Sequence, residues 1–376
     1  MKKIILVVGA RPNFMKAYPV YCALSKKYNI TLIHTGQHYD EKMSKIFFDE
    51  FNFPYPNIQL NLESKSRAGE LEDELYNELI DFNTLIPKLL KNNNFGQISE
   101  MRDKLVIEYE KIKPDLVIVF GDITSTLSAS LAAKILNIKL AHIEAGLRSN
   151  DLSMPEEINR IIVDKLSDYY FITEKSGIDN LIKDNINSNL YLVGNTMIDC
   201  LCLFIDKIKE LNIYKKYNLE LDNYYLITLH RPSNVDNFNN FNNIFQQILK
   251  LSEKNKIIFP VHPRTKNNLK KYKNIPENII LCDPLGYFEF ISLMYNSKAI
   301  ITDSGGIQEE ATYLNKPCFT LRKNTERPQT LIENGGTNIL VDDLENLKIN
   351  IFNVKINYWD GNTSKRIFKI LDELLN

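Results

Sequence analysis

The sequence predicts an α/β protein of two Rossmann-like, doubly wound domains with the ligand cleft between them. Three observations carry this reading. Apolar strand-like runs alternate with helix-like ones along the chain, the pattern of parallel sheets covered on both faces. The alternation forms two similar βα series, with a Gly194-Asn195 turn where one ends and the next begins. The 376 residues, 44% of them hydrophobic, suffice for more than one buried core.

In the first series, strands are expected at residues 4–8, 30–34, 116–120, 140–143, 169–172 and 190–193. Each is a short apolar run bounded by polar or turn-forming residues. Helices are expected at 14–26, 41–51, 123–136 and 156–166. The segment 54–67 is polar and contains proline, so it reads as a surface loop, and 73–112 reads as helical with a break at 92–96. In the second series, strands are expected at 225–229, 257–261, 279–281, 299–302, 318–320 and 338–340. Helices are expected at 196–210, 238–253, 287–296, 307–314 and 364–375. The domain boundary falls near Gly194-Asn195, giving an N-terminal domain 1–195 and a C-terminal domain 196–359. Paired doubly wound halves bind ligand at the C-terminal edges of their sheets.

Composition removes several classes of function. A net charge of −1, with both signs mixed along the chain, gives no electrostatic case for nucleic acid or an anionic membrane. The five cysteines match no zinc or redox spacing, so they read as reduced core residues of a cytoplasmic protein and no metal is expected. No apolar run reaches the ~18 residues of a membrane span, and the run after Met1-Lys2-Lys3 is too short for a signal segment. No G-x-G-x-x-G follows the first strand and no Walker lysine loop occurs, so no cofactor is expected.

The most informative stretch is Thr302-Asp303-Ser304-Gly305-Gly306-Ile307-Gln308-Glu309-Glu310. It runs from a buried strand through small residues into a helix. Such a turn offers unpaired backbone N–H groups and the positive end of a helix dipole to an anion. Gly305 and Gly306 let a phosphate approach the backbone. Carboxylates in the helix that follows suit ribose hydroxyls, which points to a nucleoside diphosphate with a group attached.

All five histidines sit in short polar motifs at strand ends: His34, His38, His142, His230 and His262. Asp122 stands at a strand exit, where it could also cap the next helix. Glu144 stands at the following strand exit, two residues from His142, so on an extended segment both project to one side. Ser153-Met154-Pro155-Glu156 spells a capping box with Ser153 as cap. Arg11 follows the first strand, and Pro12 keeps it out of a helix and holds the loop open. Arg11 and Lys16 suit a phosphate, and Arg327 lies in a polar loop after a strand.

In order, the motifs are Gly-Ala-Arg-Pro-Asn-Phe-Met-Lys, His-Thr-Gly-Gln-His, Gly-Asp-Ile-Thr-Ser-Thr, His-Ile-Glu-Ala-Gly-Leu-Arg-Ser and Met-Pro-Glu-Glu-Ile-Asn-Arg. Then come Gly-Asn-Thr-Met-Ile-Asp, Leu-His-Arg-Pro-Ser-Asn, Val-His-Pro-Arg, Asp-Ser-Gly-Gly-Ile-Gln-Glu-Glu and Asn-Thr-Glu-Arg-Pro. Together they resemble the non-hydrolysing UDP-N-acetylglucosamine 2-epimerases, nearly end to end. The resemblance implies a glycosyltransferase-B-like fold in which residues 360–376 return to the first domain. It also implies a cytoplasmic homodimer, a UDP-sugar substrate and a role in polysaccharide synthesis. Asp122, Glu144, Glu156 and His230 match the family's catalytic positions. Arg11 and Lys16 match the diphosphate side, and Ser304, Gly305 and Gly306 the phosphate turn. Glu310 matches the ribose-binding carboxylate, and His262 and Arg327 lie in motifs near the nucleotide.

The implied chemistry eliminates UDP to leave 2-acetamidoglucal, then re-adds it with C2 inverted, giving UDP-N-acetylmannosamine. Such a reaction needs phosphate stabilisers and at least two acid/base groups. Alternative readings are a 2-epimerase of a UDP-diacetamido sugar or uronic acid, a nucleotide-sugar transferase of the same fold, and a non-catalytic nucleotide-sugar sensor. The chain departs from the family's best-known branch at Gly9-Ala10-Arg11-Pro12-Asn13, where that branch reads Gly-Thr-Arg-Pro-Glu. It also has Tyr39-Asp40 where that branch has an arginine beside a second, activating substrate molecule, which removes one charge partner.

Overall fold

The computed structural model describes residues 1–37, 41–60, 62, 95–345 and 347–376. His38, Tyr39 and Asp40, residues 63–67 of the expected loop, and residues 73–94 of the expected helical segment lie outside the described residues, as does the side chain of Arg11. By its internal contacts the chain divides into two units, Met1–Cys200 with Asp360–Asn376, and Leu201–Trp359.

The first unit opens β1 (Lys3–Val8), α1 (Arg11–Leu24), β2 (Asn29–His34), α2 (Glu41–Phe51), β3 (Ile58–Gln59) and α3 (Phe95–Ile112). It continues β4 (Leu116–Phe120), α4 (Thr124–Ile135), β5 (Lys139–Ala145), α5 (Pro155–Leu166), β6 (Tyr169–Ile172), α6 (Lys175–Lys183) and β7 (Leu190–Leu192). All described strands pair in parallel, in the order β3-β2-β1-β4-β5-β6-β7. The order reverses next to β1, so the connections leaving β1 and β4 diverge at the C-terminal edge and open a ligand position there. Helices cover both faces. Ile5, Val7, Val117 and Val119 face a core that includes Leu105, Tyr109, Leu127 and Ile162. Because both faces are buried, the strands read as continuous apolar runs. Small residues make α4 buried from Thr124 to Ala133, and its Ser128 and Ser130 hydroxyls donate to carbonyls one turn back (3.0 and 2.8 Å).

Helix α7 (Thr196–Glu210) leads into the second unit, which carries β8 (Tyr224–Thr228), α8 (Pro232–Val235), α9 (Phe238–Ser252), β9 (Lys256–Pro260), α10 (Pro263–Leu269) and β10 (Ile279–Cys282). It continues α11 (Tyr287–Tyr295), β11 (Ala299–Thr302), α12 (Gly305–Tyr313), β12 (Cys318–Thr320) and β13 (Asn338–Leu340). The parallel order is β10-β9-β8-β11-β12-β13, again reversing beside the unit's first strand. One face of this sheet packs on Phe241, Phe245 and Ile248 of α9. The Asn237 side chain caps α9 by accepting from the backbone N–H groups of Asn239 and Asn240 (2.8 and 3.3 Å). Each unit is thus a doubly wound α/β sheet, the fold class the sequence predicts.

Several local expectations need correction. Helix α1 starts at Arg11, with Ala10 as N-cap and Pro12 in its first turn, so Pro12 does not keep Arg11 out of the helix. First-turn N–H groups have no intrahelical partner, and proline loses nothing there. Within the expected loop, Ile58 and Gln59 pair with Ile33 and His34; two residues are too few to show alternation. The short helices α6, α8 and α10 also escaped the sequence reading.

The last helix, α13 (Thr363–Leu375), belongs to the first unit. The buried carboxylate of Asp199 accepts from the backbone N–H groups of Thr363 (3.0 Å) and Ser364 (2.6 Å), two of the otherwise unpaired donors of that helix start. Arg366 Nε donates to the Val193 carbonyl (2.6 Å), and Asp372 meets Lys27 and Tyr28. Replacing Asp199 with alanine should destabilise the first unit by about 1–2 kcal/mol. Urea unfolding followed by circular dichroism measures this, and an unchanged midpoint would remove the cap from the account.

Candidate active site

At the end of β4 the chain turns through Gly121 with a left-handed φ of +62°. A Cβ built there would lie 3.2 Å from both Lys16 Nζ and Glu144 Oε2. Glycine therefore leaves room for the Lys16–Glu144 ion pair, whose side chains are only 8% and 5% exposed. Asn13 braces the same turn by donating from Nδ2 to the Phe120 carbonyl (3.0 Å), which also accepts from Thr126 Oγ1 (2.7 Å). Lys16 and Asn13 come from α1, Glu144 from β5, and Gly121 from the exit of β4.

Glu144 has φ +77°, and the β5–β6 register shifts between Ile143 and Ala145. The bulge sets the direction of this side chain, and simple strand alternation does not apply. His142 is buried with Nε2 2.8 Å from the Gly121 carbonyl and Nδ1 2.7 Å from Asp164 Oδ1. Arg148 also donates to Asp164 (2.7 Å) and to Asp184 (2.6 Å). Burial acts to raise the Asp164 pKa, yet Arg148 and then His142 outweigh it and hold the carboxyl below its usual range.

Asp122 pairs with Arg160, and Arg160 with Glu157. Glu157 also accepts from the backbone N–H groups of Ser149 (2.9 Å) and Asn150 (3.0 Å). Asp122 does not cap α4, whose N-cap is Ile123 without a side-chain bond. The capping box also fails: Met154 is the N-cap of α5, and Ser153 Oγ donates to Asp151 (2.6 Å). Glu156 sits half-buried in the first turn of α5, where the helix dipole favours a carboxylate, while its neighbour Glu157 carries the network.

In the second unit, β8 and β11 register Thr228 against Thr302, so the next residues, Leu229-His230 and Asp303, emerge together. Buried Asp303 accepts from the backbone N–H groups of His230 (3.0 Å) and Arg231 (2.9 Å) and from Asn234 Nδ2 (3.1 Å). His230 Nδ1 lies 3.0 Å from its Oδ1. Burial opposes ionisation of Asp303, but His230 and these N–H groups prevail and its pKa is lowered. His262 caps α10, its Nδ1 accepting from the Arg264 N–H (3.2 Å), and its ring centroid is 5.6 Å from that of His230.

Ser304 is the N-cap of α12 but makes no side-chain cap bond. Gly305 is buried and Gly306 half-buried in the first turn. Glu309 and Glu310 are buried further along, and Arg327 Nε meets Glu309 Oε1 at 3.1 Å. Gln308 Oε1 accepts from Thr325 Oγ1 (2.7 Å) and Asn338 Nδ2 (3.2 Å), fixing the loop that carries Arg327. The structure thus gathers Lys16, Asp122 and Glu144 at one strand edge of the first unit. It gathers His230, His262, Ser304 and Gly305 at the corresponding edge of the second. Among the described residues no cluster of His, Cys, Asp or Glu could hold a metal ion, and no helix is long and apolar enough to cross a membrane.

A protein-family model described as UDP-N-acetylglucosamine 2-epimerase matches residues 88–372. The chain belongs to this family. It is 41% identical to a UDP-N-acetylglucosamine 2-epimerase homolog of Methanococcus maripaludis, over 99% of this chain and 100% of the relative. It is 38% identical to the Methanocaldococcus jannaschii UDP-GlcNAc 2-epimerase crystallised with UDP-GlcNAc and UDP. That alignment has a TM-score of 0.80 and covers 99% of this chain and 100% of the other. A Pseudomonas aeruginosa UDP-2,3-diacetamido-2,3-dideoxy-D-glucuronate 2-epimerase is 31% identical, over 99% and 100% of the two chains. The doubly wound units are of the family's glycosyltransferase-B-like class.

Asp164, Glu157 and Arg160 drew no role from the sequence, and Asp303 was read only as part of the phosphate turn, although all but Asp164 lie in motifs shared with the family. The i,i+3 spacing of Glu157 and Arg160 on a helix was a usable signal. Asp303 gave none without the strand order that sets it beside His230.

Asp164 and Asp303 have folded-state pKa values below the unfolded ones. Their stabilisation is therefore complete above the unfolded pKa of about 3.9 and is lost as pH falls through the lower folded values. The urea midpoint should drop below pH ~4, and Asp303→Asn should flatten that drop. A midpoint independent of pH from neutrality to pH ~3 would contradict the linkage.

Proposed function

We propose that this chain interconverts UDP-N-acetylglucosamine and UDP-N-acetylmannosamine by eliminating and re-adding UDP. The reading is carried by two carboxylates, Asp122 and Glu144, held at one switch-point edge in a chain whose full-length relatives bear this activity in their names. The hydrogen on sugar C2 is not acidic in the ground state, since no carbonyl adjoins it. Cleavage of the anomeric C1–O bond builds oxocarbenium character and acidifies it. A carboxylate takes the C2 proton as the electron pair of the C1–O bond leaves with UDP, giving 2-acetamidoglucal. Proton return to the opposite face of C2, with a UDP oxygen re-bonding to C1, completes the inversion.

In this reading Asp122 and Glu144 move the protons and Glu156 supports them. Lys16, beside Glu144, and Arg11 stabilise charge on the diphosphate. The first turn of α12, with Ser304, Gly305 and Gly306, receives phosphate oxygens. His230 contacts the diphosphate or sugar, Glu310 the ribose, and His262 and Arg327 lie near the nucleotide. Residues 196–359 act as the nucleotide-binding domain. The reading includes a homodimer working in the cytoplasm.

A second substrate is favoured by one observation: a relative named for a diacetamido uronate substrate spans the whole chain at 31% identity. Incubation with UDP-N-acetylglucosamine in deuterated water, without an acceptor, separates the readings. Deuterium at C2 together with the manno epimer is the expected result. Exchange only with the diacetamido uronate would replace the substrate, and binding without exchange would replace the enzyme with a sensor. Asp122→Asn and Glu144→Gln should each lower kcat by roughly 10²–10⁴-fold.

A further inference from the structure

Beneath the first turn of α12 lies a charged group that the reading above leaves unused. Arg322 is 7% exposed, and its Nη2 donates to Glu326 Oε2 at 2.7 Å. Its Nη1 is buried and has no hydrogen-bond partner among the described residues. A Cβ built on Gly305 would lie 3.8 Å from this Nη1 and would collide with Glu326 Oε1. Gly305 therefore lets the Arg322–Glu326 pair press against the first residue of α12. Arg231 Nη2 lies 3.9 Å from Glu326 Oε1, so two guanidinium groups share this one carboxylate.

A guanidinium is always charged, and a buried donor without an acceptor is costly. The second guanidinium and the unused donor lie at a helix start whose cap residue contributes no side-chain bond. All three features favour an anion at the same place. From this geometry we infer that Arg322 is a diphosphate-holding residue, tied by Glu326 so that its second nitrogen is kept for phosphate oxygens. Glu326 acts as a positioning residue, fixing the plane of the guanidinium behind Gly305. The assignment rests on the proposed UDP-sugar substrate and adds a cation to the phosphate turn.

The test compares UDP with uridine, which lacks the diphosphate, by titration calorimetry on the full chain. The wild-type chain must first bind UDP; if it does not, the proposed function fails and not this assignment alone. With wild-type binding in hand, Arg322→Gln should weaken UDP about 10- to 100-fold and leave uridine within about twofold. Arg322→Lys, which keeps the charge but not the fork, should fall between them. Equal loss of UDP and uridine would reduce Arg322 to a structural role, and unchanged UDP affinity in Arg322→Gln would also overturn the assignment. If Arg322→Gln does not fold, Arg322→Lys decides: UDP weakened with uridine held supports the inference, and any other pattern rejects it.

Discussion

A charge taken out of water needs an opposite charge or several hydrogen bonds, and this chain buries many of them at the ends of its strands. Lys16 meets Glu144 across α1 and β5, and Arg160 meets both Asp122 and Glu157. Asp164 holds His142 and Arg148 together, and Asp303 gathers the start of the segment after β8. Each group has few positions in which it is satisfied. The pairs therefore fix the connecting loops more firmly than apolar packing would, because a slipped loop would strand a buried charge. Preorganised charge of this kind is what stabilisation of a departing diphosphate requires.

The sheet order decides where that charge collects. In each unit the reversal beside the first strand sends neighbouring connections to opposite faces. The first unit uses the resulting space for carboxylates with paired cations. The second uses it for a helix start, two histidines and guanidinium groups. The same backbone topology thus carries two complementary chemistries, set by the few residues that follow each strand.

The sheets were largely legible because strands buried on both faces leave long apolar runs in the sequence. The run 116–120 coincides with β4, between Asp115 and Gly121-Asp122, and 318–320 coincides with β12, just after Pro317. The two-residue β3 left no such trace. Local helix starts were less legible. Pro12 proved compatible with a helical Arg11, and Ser153 gave its hydroxyl to Asp151 when it could have capped α5. Motif order pointed to the residues now proposed for the site, but their pairing depended on which strands become neighbours. The sequence marked Lys16 for a phosphate and Glu144 for a proton, and did not disclose that a glycine with positive φ brings the two into contact. It likewise gave no partner for Asp303, which is met by the segment just after β8, more than seventy positions away.

The Asp199 carboxylate reaches Thr363 and Ser364 across a sequence separation of 164 and 165 positions. During synthesis, the whole second unit is made before that contact can form. The first sheet must therefore wait, with the surface meant for α13 uncovered, while about 160 further residues leave the ribosome at some 5–20 per second. For those roughly 10–30 seconds the apolar surface that Ile367 and Leu371 later cover stays open to water.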